Sequence, residues 1–86
     1  MDDREKQAYN ALNKWAFRLN LWEYDKQVKR NHGKKLEVFS PHYFSLMLID
    51  AMKELRSGNV TADKAMALLH TVDGRTMMRL CMEAGF

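Results

Sequence analysis

The chain has 86 residues, of which 47% are hydrophobic and 29% are charged, and its formal net charge is +3. This length predicts a single domain, and the hydrophobic content is too high for a disordered chain. The first residues lack the pattern of a signal peptide, and the apolar runs are too short to span a membrane. The one cysteine cannot form an internal disulfide, which is typical of proteins in a reducing compartment. We therefore expect a cytoplasmic protein with no membrane partner.

The first predicted helix carries apolar side chains on two opposite faces, because residues spaced by three or four share a helix face. One face has Ala8, Leu12, Trp15, Leu19 and Trp22. The nearly opposite face has Phe17, Leu21, Tyr24 and Val28. Since a small core covers one face of a surface helix, the sequence leaves three alternatives: a central helix covered on both sides, a broken helix, or an interface on one face.

A break near Asn20 is indicated by the residues that follow it. Asn20 and Glu23 stand three residues apart, which is typical of a capping box at the start of a helix. This pattern favours two helices, near residues 3–19 and 21–31. One long helix is the alternative that the sequence leaves open.

The second predicted helix begins at Ser40 and Pro41, residue types that suit the N-cap and the first helical position. Its end is predicted at Ser57 and Gly58, because glycine commonly follows the last turn of a helix. Its buried stripe is predicted to comprise Phe44, Leu48, Ala51, Met52 and Leu55.

Two shorter helices are predicted after it. Thr61 is a suitable cap for a short helix that ends at about His70. Asp73 is a suitable cap for a last helix from about Gly74 to Ala84. The fold class predicted for residues 1–86 is therefore all-α, a compact bundle of four to five helices.

A basic run follows the aromatic part of the first helix. Residues 26–35 contain no acidic side chain but six basic or histidine side chains: Lys26, Lys29, Arg30, His32, Lys34 and Lys35. The segment before the run has four basic and five acidic residues, and the segment after it has five and six, so the run accounts for the positive net charge. Such a patch attracts an anionic partner over a Debye length of about 8–10 Å.

The last two helices resemble the helix-turn-helix of DNA-binding regulators. The residues that match this pattern are Ala67, Val72, Asp73, Thr76, Met77, Arg79 and Leu80. The resemblance implies that Arg75, Thr76 and Arg79 contact DNA. It departs from the family at Thr71, where glycine is usual, and at His70, where an apolar residue is usual. The segment also carries equal numbers of acidic and basic residues, which limits its attraction to phosphates.

No pattern in the chain predicts catalysis or metal binding. His32, His42 and His70 are widely separated, and none pairs with Cys81 at a spacing typical of zinc sites. Cys81 lies inside a predicted helix, which favours a buried thiol over a nucleophile. We therefore expect no enzymatic activity, no metal site and no cofactor.

The leading hypothesis is a regulator or adaptor that binds another protein. An aromatic face and a basic patch would form the binding surface: Phe17, Leu21, Tyr24, Val28, Lys26, Lys29, Arg30, Lys34 and Lys35. Self-association through the same face, as a homodimer, is a variant of this hypothesis. The alternative is a DNA-binding helix-turn-helix regulator that uses Arg75, Thr76 and Arg79.

Overall fold

The computed structural model describes residues 1–29 and 40–86, and the side chains of residues 27–29 lie outside this description. In chain order its elements are α1 (Asp3–Lys29), α2 (Pro41–Arg56), α3 (Ala62–Met66), a 3₁₀ turn (Ala67–His70) and α4 (Val72–Glu83). No strand occurs within the described ranges. The prediction of an all-α helical bundle is therefore confirmed.

The first helix continues through Asn20 without a break. α1 is a single helix of 27 residues, so the alternative of one long helix is correct and the predicted break is absent. The Asn20 side chain makes a contact with α2 instead of a cap, because its Oδ1 accepts a hydrogen bond from Ser45 Oγ at 2.7 Å. A capping box does form at the start of the helix, where Asp2 and Glu5 each accept a hydrogen bond from the other's backbone N–H.

The chain returns along α1 towards its amino end. Ser45, near the start of α2, contacts Asn20, whereas Asp63, in α3, forms an ion pair with Arg4 at 2.5 Å. α2 and α3 therefore pack against the same long helix at successive levels. Apolar side chains from every described helix form the buried core: Ala8, Leu12, Ala16, Leu19, Phe44, Leu48, Met52, Leu55, Ala65, Leu69, Met77 and Cys81.

The second helix begins and ends close to where the sequence predicts. Ser40 is its N-cap, with Oγ accepting a hydrogen bond from the backbone N–H of His42 at 3.0 Å, and Pro41 is its first residue. Four residues of the predicted stripe are buried, and Ala51 is half-buried. The helix ends before Gly58, whose φ of 79° is a left-handed conformation that favours glycine.

The region from α3 to α4 differs from the prediction in two respects: the short helix is divided, and a different residue caps α4. Thr61 caps α3 as expected, but the predicted short helix divides into α3 and the 3₁₀ turn. The N-cap of α4 is Thr71 rather than Asp73, because the Thr71 Oγ1 accepts a hydrogen bond from the backbone N–H of Gly74 at 2.9 Å. Asp73 lies inside the first turn, where its charge interacts favourably with the helix dipole.

Gly74 explains why α4 begins at this position. A Cβ atom on Gly74 would lie 3.1 Å from Phe44 Cζ and would overlap the carbonyl oxygen of Leu68. The first turn of α4 is therefore in close contact with α2 and with the 3₁₀ turn. Only glycine allows this approach without displacement of a neighbour.

The change Thr71→Ala tests which residue caps α4. It should lower the free energy of unfolding by about 1 kcal/mol, since the cap hydrogen bond is lost. Asp73→Ala should lower it by about 0.5 kcal/mol, since it removes only a favourable charge from the first turn. Urea unfolding of both variants measures the difference. A larger loss for Asp73→Ala would contradict the assignment of Thr71 as the cap.

Candidate functional site

An exposed apolar stripe lies on the outer side of α1. Phe17 is 64% exposed, Leu21 is 42% exposed and Tyr24 is 69% exposed. Their spacings of four and three residues place them along one line on the helix surface. Val28 continues this spacing, but its side chain lies outside the described residues. Phe17, Leu21 and Tyr24 are called the α1 stripe below.

The opposite side of α1 faces the core, as the spacing of its apolar residues predicts. Leu12 and Leu19 are fully buried. Trp15 and Trp22 are half-buried, and each has a cation over its ring, with Arg18 at 4.8 Å and Lys26 at 5.0 Å from the ring centroid. The two tryptophans therefore complete the edge of the core and bind cations on their outer faces.

The structure separates part of the predicted basic patch from the α1 stripe. Lys26 lies over Trp22, on the side of α1 opposite Phe17. The Lys29 side chain and the whole of Arg30, Lys34 and Lys35 lie outside the described residues. A cation that sequence analysis did not assign to this site is Lys14, which is exposed and precedes Phe17 by three residues. That three-residue spacing is the sequence signal that could have identified it.

The residues of the helix-turn-helix alternative lie on α4. Arg75 and Arg79 are exposed and one turn apart, and Thr76 is half-buried. The Arg79 guanidinium forms a salt bridge with Glu83 at 3.0 Å, so its charge is partly offset. Val72, the residue expected to close the turn, is 72% exposed and does not pack between the helices. These features weaken the resemblance to a DNA-reading pair.

A groove that sequence analysis did not predict lies between α2 and the start of α4. Its volume is about 210 Å³. Its lining has five largely apolar residues, two hydroxyls and one carboxylate: Tyr43, Phe44, Met47, Leu68, Met77, Ser40, Thr71 and Asp73. Tyr43 and Met47 are half exposed at its mouth. The two residues are four positions apart and lie outside the predicted buried stripe of α2. This spacing is the sequence signal that could have identified the mouth of the groove.

Acidic residues lie further along α2, beyond the residues that line this groove. On α2 the positions that follow Tyr43 and Met47 along the same line are Asp50 and Glu54, both exposed. Asp73 lines the groove from α4. Among the described residues Asp73 is therefore the carboxylate that lines the groove, whereas the α1 stripe has Lys14 one turn before Phe17 and Asp25 one turn after Leu21.

The thiol of Cys81 is buried between α1 and α4. Its exposure is 0%. Burial raises the pKa of Cys81, and the charge of Arg18 opposes this rise to a smaller extent. Arg18 also donates a hydrogen bond from Nε to the carbonyl oxygen of Phe86, which ties the end of the chain to α1. Arg18 therefore links α1 to the residues that follow α4.

No three His, Cys, Asp or Glu side chains in residues 1–29 and 40–86 are placed to share a metal ion. None of the helices in those ranges has the length and apolar character that crossing a bilayer requires.

Comparison with known proteins assigns no family, because no family model, curated protein or solved structure matches the chain. Function must therefore be inferred from the surfaces described above. Two of these surfaces, the α1 stripe and the groove, place exposed large apolar side chains beside charges.

The two sides of α1 should respond differently to truncation. Phe17→Ala and Tyr24→Ala should each change the free energy of unfolding by less than about 0.5 kcal/mol, because both side chains are largely exposed. Leu19→Ala should lower it by about 2–5 kcal/mol, because it leaves a cavity in the core. Urea unfolding followed by circular dichroism measures all three. A loss for Phe17→Ala as large as that for Leu19→Ala would mean that the α1 stripe is covered in the free protein.

Proposed function

We propose that this protein is a non-enzymatic regulator or adaptor that binds another protein through the α1 stripe. The observation that carries the proposal is the exposure of two aromatic side chains, Phe17 and Tyr24, with Leu21 between them on one line. Aromatic residues are enriched in the cores of protein interfaces, where each buries roughly 150–250 Å². Phe17 and Tyr24 keep about two thirds of their surface exposed, so most of each ring is open to a partner.

The charge beside the stripe defines the chemistry of the partner. Lys14 is exposed one turn before Phe17, Asp25 lies one turn after Leu21, and the sequence from 26 to 35 adds five basic residues, so basic residues outnumber acidic ones near the stripe. A partner that presents apolar side chains flanked by Asp or Glu would match this surface. Because Lys26 lies on the opposite side of α1, it supports binding through the long-range field and not through direct contact. Such charges speed and orient association more than they add affinity.

Duplex DNA is the second candidate partner and has less support. Arg75 and Arg79 lie one turn apart on α4, as the resemblance requires, but Arg79 is paired with Glu83. Phosphate neutralisation supplies most non-specific affinity for DNA, and the segment that holds both arginines has no net charge. Binding to duplex DNA is therefore tested separately, as the alternative to peptide binding.

Selection from a library of random displayed peptides tests the proposal without a known partner. The immobilised protein should select peptides that combine Leu, Phe or Trp with Asp or Glu. The double variant Phe17→Ala, Tyr24→Ala should bind the selected peptides about 30-fold more weakly, which corresponds to loss of about 2 kcal/mol from a binding hot spot. Fluorescence anisotropy of labelled peptides measures the affinity.

Met82→Ala is the matched control for this experiment, because Met82 is 54% exposed on α4 and lies outside the α1 stripe. Its affinity for the selected peptides should equal that of the unmodified protein. Selection of basic peptides, or equal binding by the double variant, would contradict the proposal. Binding to duplex DNA that falls with salt and with Arg79→Ala would support the DNA-binding alternative instead.

A further inference from the structure

We draw no further inference here: the strongest candidate, the largely apolar groove between α2 and the start of α4, carries nothing, because Asp73 is the one carboxylate among its lining residues and nothing in the described part of the chain shows what covers it.

Discussion

The architecture depends on one long helix, α1, that the other described helices cover on one side. At 1.5 Å per residue α1 is about 40 Å long, close to the 44 Å long axis of the molecule. α2 has 16 residues and spans about 24 Å of that length. The buried residues Leu12 and Leu19 lie on the covered side. A chain of this size has too little apolar surface to enclose a 27-residue helix all round, so the opposite side stays exposed.

A polar contact lies at the crossing of α1 and α2. Ser45 is fully buried in α2, and its hydroxyl lies 2.7 Å from Asn20 Oδ1. The His42 Nδ1 lies 3.4 Å from the same oxygen. Buried polar groups require partners, and here Asn20 supplies one from the side of a continuous helix. Ser45 Oγ also lies 2.7 Å from the carbonyl oxygen of His42 in its own helix, so Asn20 is one of two acceptors for this hydroxyl, and its side chain joins α1 to α2 where the sequence predicts a break.

Local signals in the sequence predict the helix starts that depend only on neighbouring residues. Ser40 and Thr61 cap the helices they were expected to cap, because an N-cap depends on the few residues that follow it. The cap of α4 was predicted wrongly because Thr71 and Asp73 are both suitable residue types. Residue type alone does not distinguish them, whereas in the structure Thr71 accepts the cap hydrogen bond from the backbone N–H of Gly74.

The α1 stripe and the groove also differ in whether the sequence predicts them. The α1 stripe was predictable, because one helix with two apolar faces exceeds what a small core can cover. The position of Lys26 opposite Phe17 was also predictable, since nine residues correspond to two and a half turns. The groove was not predictable, because it forms only when α2 and α4 come together.

Exposure of single apolar residues is ordinary on protein surfaces, but the α1 stripe has three of them in one line. Burying a further ~100 Å² of one aromatic side chain is worth about 2.5 kcal/mol at 25 cal/mol per Å². An exposed ion pair contributes about 0–1 kcal/mol by comparison. Under the proposed function, affinity at this surface would therefore come from Phe17 and Tyr24, while the basic residues would supply rate and orientation. Since folding does not use that free energy, it is available to an interface.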